Sequence, residues 1–266
     1  MPYEKDGIKY PRCTNIISDC TSKGDAMTQW AANCAVEYIK NNMCADPSCP
    51  YIGDEIFELL EKARFAFKTV SDKALDVGSE VHGLIEEYLK YTLEHRDGWI
   101  WPDGMSEEVH NAFKAFWDWS IDHNLKPIEL EKTVYGSRWA GTLDFYGYFD
   151  DRLYVIDWKT SKPKNKKTGK GIYPEMRYQV AAYREAIHKE IFWKKAIELP
   201  NMTILPDEFC PTGCGVLRLD KETGMPDWND TSATYEQDLR VFNRMVDLYF
   251  ERHPIIKKRF AYLMPF

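Results

Sequence analysis

GTLDFYGYFDDRLYVIDWKTS, residues 141–161, predicts two β-strands joined by a tight turn at Asp150 and Asp151. In such a hairpin Asp144 lies directly opposite Asp157, and Lys159 follows on the same face. Like charges that face each other across two strands are destabilising, so a sequence that carries them needs a cation nearby. We predict that this cation is a metal ion.

A surface hairpin is the alternative interpretation of this stretch. Two solvated carboxylates beside a lysine would then be nearly neutral for stability. The surrounding apolar residues argue against it, because both faces of the hairpin carry them. One face is formed by Leu143, Phe145, Tyr154, Ile156 and Trp158. On the other face, the charged residues are accompanied by Tyr146, Leu153 and Val155. A carboxylate pair covered on both faces is costly unless it is coordinated.

The composition is that of a globular protein in water. The chain has 266 residues, of which 44% are hydrophobic and 29% are charged, so it can form a substantial core. We expect one domain over 1–266, with a mainly helical part at 1–125, a sheet core at 126–222 and a C-terminal helix and tail at 223–266. The net charge of −7 argues against nucleic-acid binding by overall charge but leaves local binding open.

The cysteines and the apolar segments indicate a reducing compartment. No apolar run is long enough to span a membrane, and the N-terminus lacks the layout of a signal peptide. The seven cysteines are an odd number, and Cys34 falls on the apolar stripe of a helix that Asp25 caps. We therefore expect a cytoplasmic protein that does not associate with membranes.

The remaining sequence predicts helices before the hairpin and a mixture of helices and strands around it. Helices are expected at about 25–39, 54–67, 71–93 and 106–123, and strands at about 129–135, 139–149 and 152–160. A helix at 174–193, a strand at 215–220 and a helix at 233–251 follow. The first of these carries Gln179 and Tyr183 four residues apart, and therefore on one face.

A lysine-rich loop follows the hairpin and contains Lys162, Lys164, Lys166, Lys167 and Lys170. Pro163, Gly169 and Gly171 lie in the same loop, a composition typical of a solvated connector. The closeness of the loop to Lys159 favours a second interpretation, in which its lysines bind the phosphates of a nucleic acid.

Four motifs follow one another along the chain: His82, Gly141-Thr-Leu-Asp144, Asp157-Trp-Lys159-Thr-Ser and Gln179-x-x-x-Tyr183. Together they resemble the PD-(D/E)XK nuclease superfamily, specifically its RecB-like branch, which includes phage-type and mitochondrial DNA exonucleases. The resemblance covers about residues 74–220. It implies an α/β fold with a restriction-endonuclease-like core, in which helices flank a central mixed sheet, and with a helical N-terminal elaboration.

The resemblance also implies a role for each residue. The ligands of Mg²⁺ or Mn²⁺ would be His82, Asp144, Asp157 and the Trp158 carbonyl, since these hard ions favour oxygen ligands and an imidazole suits Mn²⁺. Lys159 would orient or deprotonate the attacking water and offset phosphate charge. Gln179 and Tyr183 would support the site or contact DNA. Thr160, Ser161 and the lysine-rich loop would bind DNA.

Two of the predicted metal ligands have alternatives. A lone histidine on an apolar helix is often a half-buried core residue, so His82 has a structural interpretation as well as a metal-binding one. Glu86 lies one turn after His82 on the same face and is a candidate for a further ligand or for a supporting residue.

The cysteines depart from one version of the family pattern. Some relatives bind an iron–sulfur cluster through one cysteine upstream of the nuclease motifs and three closely spaced cysteines downstream. Here only Cys210 and Cys214 lie downstream, and Cys44 and Cys49 form an upstream pair. This spacing disfavours both an iron–sulfur cluster and a zinc site.

The expected function is that of a metal-dependent deoxyribonuclease, an exonuclease in recombination, repair or genome processing. Its partner would be DNA, as single-stranded or double-stranded ends, with a recombination or replication protein as a further candidate partner. A phage-encoded member would act in the cytoplasm of the host. The alternatives are an endonuclease on the same core, or a DNA-binding structural protein that has lost catalysis.

Overall fold

The computed structural model of the chain describes residues 3–21, 24–43, 54–94, 98–162, 172–198 and 210–256. Its helices are α1 (Cys13–Cys20), α2 (Gly24–Asn42), α3 (Asp54–Glu94), α4 (Glu107–Asp122), α5 (Pro174–Glu198) and α6 (Tyr235–Arg252). Its strands are β1 (Tyr3–Lys5), β2 (Ile8–Tyr10), β3 (Lys126–Tyr135), β4 (Ala140–Phe149), β5 (Arg152–Ser161), β6 (Gly213–Asp220) and β7 (Pro226–Asp230).

The chain divides into two compact units, one formed by Met1–Thr21 with Glu80–Phe266 and the other by Ser22–Ser79. In the smaller unit, the rings of Trp30 in α2 and Phe67 in α3 meet edge to face with 6.3 Å between their centroids. The larger unit contains the sheet. Within the described ranges, every helix is too short or too polar to cross a lipid bilayer.

Five strands form one mixed sheet in the order β3-β4-β5-β6-β7. Neighbours are antiparallel except β5 and β6, which are parallel, with α5 between them in the chain. Phe116 of α4 contacts Trp158, whereas Gln179 of α5 contacts Asp157, so the two helices lie on opposite faces of the sheet. The predicted α/β class, with a mixed sheet flanked by helices and a helical N-terminal region, is confirmed.

The β4–β5 hairpin turns at the two residues predicted for it. Asp150 and Asp151 have φ angles of +47° and +59°, the left-handed conformation that a type I′ turn needs at both central positions. The pairing runs from Phe149 opposite Arg152 to Phe145 opposite Ile156. The next step of this register is Asp144 with Asp157, as the sequence predicts.

Both faces of the hairpin are covered. The apolar residues assigned to the two faces are buried, and the acidic pair is buried with them: Asp144 is 7% exposed and Asp157 is 1% exposed. The surface-hairpin interpretation is therefore wrong. Two carboxylates have been removed from most of their hydration, which is costly without compensating charges or hydrogen bonds.

Two helices predicted at 54–67 and 71–93 form the single helix α3. The residues between them, 68–70, include neither glycine nor proline, so nothing interrupts the helical hydrogen bonds between the two amphipathic segments. The sequence pattern also left β1, β2, α1 and β7 unpredicted. The β1–β2 turn is Asp6-Gly7, with φ angles of +52° and +75°, and this dipeptide is a hairpin signal. The hairpin was not predicted because each strand has only three residues, too few to show an alternating pattern.

Replacing Asp151 with glycine should stabilise the protein, because glycine adopts a φ of +59° without the steric penalty of an L-side chain. We expect the free energy of unfolding in urea to rise by about 0.5–1 kcal/mol. The lost ion pair with Lys126 is solvent exposed and contributes little. Asp151→Val should destabilise the protein instead, and a less stable glycine variant would contradict the type I′ turn.

Candidate metal centre

Three side chains from three different elements meet at one edge of the sheet. They are His82 of α3, Glu131 of β3 and Asp144 of β4, and one ligand atom from each lies within 4.8 Å of the others. His82 Nδ1 is 3.6 Å from Glu131 Oε1 and 3.7 Å from Asp144 Oδ1. An imidazole and two carboxylates at these separations could hold a metal ion.

Asp157 and Lys159 stand beside this group on β5. The Lys159 ammonium forms an ion pair with Asp157 Oδ2, and the Gln179 amide donates a hydrogen bond of 3.0 Å to Asp157 Oδ1. Oδ2 accepts no hydrogen bond of ordinary geometry from the described residues. A buried carboxylate oxygen that meets only an ammonium group still has room in its coordination for a second cation.

A main-chain hydrogen bond fixes Asp144 against β5. The Trp158 amide donates to Asp144 Oδ2 over 2.7 Å, while the other oxygen, Oδ1, faces His82. The Trp158 ring is held in turn by edge-to-face contact with Phe116 and by Phe145. The strand that carries Asp157 and Lys159 therefore also orients Asp144.

Burial raises the pKa of Asp144 from its ordinary value of 3.8 to about 7, and the charge of Asp157 adds to the effect. His82 and Lys159 oppose the rise but do not cancel it. Burial alone would lower the pKa of Lys159, but the charges of Asp157 and Asp144 outweigh it and raise that pKa. Negative charge is therefore in excess at Asp144, and a bound cation would relieve it.

His82 lies among carboxylates and not in the apolar core. Burial alone would lower the pKa of its imidazole, but the contact with Glu131 and the charge of Asp144 raise it. The side chain is 28% exposed, so one edge of the ring remains accessible. A ring in this position can bind a metal through Nδ1 once that nitrogen is deprotonated.

Glu131 was missed by the sequence analysis, which named Glu86 as a candidate for a further ligand or a supporting residue. Glu86 Oε1 accepts a hydrogen bond of 2.5 Å from Lys90, and Glu86 is not part of the group of His82, Glu131 and Asp144 that could hold a metal ion. Glu131 reaches the site because β3 pairs with β4, with Leu130 opposite Phe145 and Lys132 opposite Leu143. No local pattern in the sequence reveals that register.

The Gln179-x-x-x-Tyr183 motif is linked to both carboxylate strands. The Gln179 amide contacts Asp157 and also donates to the Tyr183 hydroxyl over 3.2 Å. The Tyr183 ring lies against the Cα of Gly141, where a Cβ atom would come within 2.6 Å of the ring. Glycine is therefore needed in Gly141-Thr-Leu-Asp144 to admit the tyrosine that positions Gln179.

The residues predicted to bind nucleic acid are only partly described. Lys162 is exposed and forms an ion pair of 3.4 Å with Glu222, and the Ser161 hydroxyl accepts a hydrogen bond from the buried Arg218. Thr160 is half-buried at the end of β5. The remaining members of the lysine-rich loop lie outside the described residues, namely Lys164, Lys166, Lys167 and Lys170.

The predicted absence of a cysteine metal site remains a prediction. Cys44 and Cys49 lie outside the described residues. Cys210 and Cys214 are described and form no disulfide, and Cys214 is buried with its thiol 3.5 Å from the Thr231 hydroxyl.

No model of a known protein family matches the sequence, and no curated protein is significantly similar to it. Membership of the PD-(D/E)XK superfamily thus stays a prediction from the four motifs.

Asp144→Asn should flatten the pH dependence of stability in the metal-free protein. Because the folded-state pKa of Asp144 is raised, the carboxyl group stabilises the fold at low pH and loses that contribution as the pH rises through about 7. In chelator, we expect the wild type to lose on the order of 2 kcal/mol more than the variant between about pH 5 and 8, measured by urea denaturation.

Asp118→Asn is the matched control for that measurement. Asp118 lies on the surface of α4 and pairs with Lys114. Its variant should follow the pH profile of the wild type, because an exposed ion pair contributes little. If Asp144→Asn also followed the wild-type profile, the buried excess of negative charge would be disproved.

Gly141→Ala should destabilise the protein by about 1–3 kcal/mol, because the added methyl group overlaps the buried Tyr183 ring. Gly83→Ala is the control: a Cβ at Gly83 of α3 meets nothing within 4 Å, and alanine favours a helix by up to about 1 kcal/mol. Urea denaturation of the two variants should give shifts of opposite sign. Equal stability of Gly141→Ala and wild type would contradict the packing of Tyr183.

Proposed function

We propose that the chain is a divalent-metal-dependent deoxyribonuclease with a restriction-endonuclease-like core, and that it acts as an exonuclease. One observation carries the proposal: the two carboxylates of the candidate metal group, Glu131 and Asp144, and the Asp157–Lys159 ion pair lie on three adjacent strands of one mixed sheet. Asp144 connects them, since its carboxylate faces His82 with one oxygen and accepts the Trp158 amide with the other.

The residues fit the hydrolysis of a phosphodiester. Such a reaction needs an activated water and a cation at the oxygens on which negative charge develops. A divalent ion, when bound, polarises the phosphoryl oxygen and makes water more acidic. We assign its binding to His82, Asp144, Asp157 and the Trp158 carbonyl, and we infer Mg²⁺ or Mn²⁺ because oxygen ligands predominate.

Lys159 supplies a fixed positive charge next to the scissile phosphate. Its raised pKa keeps the ammonium group protonated near neutral pH while both carboxylates are close. A protonated lysine cannot take a proton from water, so its role in this state is to orient the water and to offset phosphate charge. Its partner Asp157 holds the ammonium in place through their ion pair.

Gln179 and Tyr183 position this pair and take no part in the bond-breaking step. The amide hydrogen bond to Asp157 Oδ1 fixes the plane of the carboxylate, and the tyrosine fixes the amide. Both side chains are buried, so packing locks their rotamers.

The exonuclease assignment and the cellular role in recombination, repair or genome processing come from the family resemblance. DNA ends are accordingly the proposed substrate. Cleavage assays with linear and circular DNA distinguish an exonuclease from an endonuclease directly.

Lys159→Ala should lower the rate of DNA cleavage by about 10²- to 10³-fold, because the positive charge that offsets the phosphate charge is lost. Asp157→Asn should have an effect of the same order, because it removes carboxylate charge at nearly constant volume. Purified protein would be assayed with Mg²⁺ and with Mn²⁺ on end-labelled linear DNA, with product lengths followed over time. Lys114→Ala, which removes an exposed lysine on α4, is the control and should retain the wild-type rate.

Covalently closed circles test the exonuclease part of the proposal. Linear DNA should be shortened progressively to small products, while closed circles, single-stranded or double-stranded, should survive. Linearisation of circles before any shortening of linear DNA would identify an endonuclease. Wild-type protein that binds DNA but cleaves neither substrate with either metal would identify a non-catalytic DNA-binding protein.

A further inference from the structure

Glu131 has a backbone conformation that is unusual for its place in the fold. Its φ angle is +45°, in the left-handed region, although it lies within β3 between two residues that pair regularly with β4. Left-handed backbone is sterically unfavourable for a glutamate and is rare in the middle of a strand. Strain of this kind persists where the surrounding structure requires it, and it is common at functional sites.

The strained residue places its carboxylate against an acidic neighbour. Glu131 Oε1 lies 3.6 Å from His82 Nδ1, and Asp144 Oδ1 approaches the same nitrogen at 3.7 Å. The adjacent Lys132 does not neutralise this charge, because its ammonium forms ion pairs with Glu129 and Glu190. Two carboxylates beside a neutral imidazole repel each other unless a cation joins them.

The formal charges of the site sum to −2, which one divalent ion would neutralise. Glu131, Asp144 and Asp157 contribute three negative charges, and Lys159 contributes one positive charge. The remaining two negative charges equal the charge of a single Mg²⁺ or Mn²⁺, with His82 as a neutral ligand. Without Glu131 the same ion would leave the site with a net positive charge, to be balanced by the substrate phosphate.

We propose that Glu131 is a metal ligand that makes the divalent ion resident, so that the ion is bound before any nucleic acid arrives. The proposal rests on the proposed function for the identity of the site, but it concerns metal retention and not cleavage. Glu131 would add a carboxylate from β3 to the ligands that α3, β4 and β5 supply, so that protein atoms hold the ion independently of substrate oxygens. The strained backbone at Glu131 is the structural cost of that additional ligand.

The test is Mn²⁺ binding by calorimetry in the absence of nucleic acid. The wild type should bind one ion per chain, and Glu131→Gln should bind it at least about tenfold more weakly, since even supporting residues of metal sites change affinity by about 10- to 100-fold. Glu86→Gln is the matched control. Glu86 is as exposed as Glu131, at 31% against 30%, and lies one turn from His82, but it is paired with Lys90.

Cleavage at increasing Mn²⁺ separates this inference from the proposed function. Because Asp144, Asp157 and Lys159 are intact, Glu131→Gln should regain most of the wild-type rate at saturating metal, with a higher metal concentration at half-maximal rate. If the wild type binds Mn²⁺ through Glu131 but cleaves nothing, the proposed function fails and the ligand assignment stands. If Glu131→Gln binds Mn²⁺ as tightly as the wild type, the ligand assignment fails whatever the cleavage result.

Glu131→Gly provides a second test that does not depend on the solubility or folding of the glutamine variant. Glycine adopts the left-handed conformation freely, so the melting temperature of the metal-free protein should be equal or higher. The rise in melting temperature that Mn²⁺ gives the wild type should be reduced in this variant, because binding to the folded state is weakened. An undiminished rise would overturn the proposal.

Discussion

The close approach of Asp144 and Asp157 on two adjacent strands governs the rest of the site. Both side chains are buried, and burial raises the pKa of Asp144 to about 7, so the pair is unfavourable in its ionised form by itself. His82 and Lys159 oppose the rise in the pKa of Asp144, and the amides of Trp158 and Gln179 each donate a hydrogen bond to one of the two carboxylates. The β4–β5 register holds the two carboxylates side by side, so their repulsion has to be offset locally.

The supporting residues act through geometry. The Trp158 amide holds one oxygen of Asp144, and the Gln179 amide holds one oxygen of Asp157, so the remaining two oxygens are directed to His82 and Lys159. These hydrogen bonds come from β5 and α5, which pack on the core independently of any ligand. Such rigid support is what a preorganised catalytic site requires, since small displacements of a ligand carry a large loss of rate.

The parts of the structure that the sequence predicts correctly are those set by local rules. The turn at Asp150-Asp151, the alternation along β4 and β5 and the spacing of Gln179 and Tyr183 each depend on residues within a few positions of one another. Glu131 escaped prediction because its position depends on the pairing of β3 with β4 and on a left-handed residue that breaks the strand pattern. The continuous α3 was missed although its cause is local. Its two amphipathic stripes predict two helices, but no helix-breaking residue lies between them.

Glu86, the further ligand or supporting residue suggested by helical spacing, has a different partner in the structure. Helical spacing places Glu86 beside His82, and Lys90 at the next turn of the same helix pairs with it at 2.5 Å. A lysine four residues after a glutamate is the arrangement that stabilises an exposed helix. The same helical spacing that suggested Glu86 as a ligand therefore also supplies Lys90, which would compete with a metal ion for its carboxylate. No lysine of β3 pairs with Glu131 in this way, because the ammonium group of Lys132 forms ion pairs with Glu129 and Glu190. Of the two glutamates near His82, Glu131 is the one that pairs with no lysine among the described residues, and its carboxylate is therefore available to a cation.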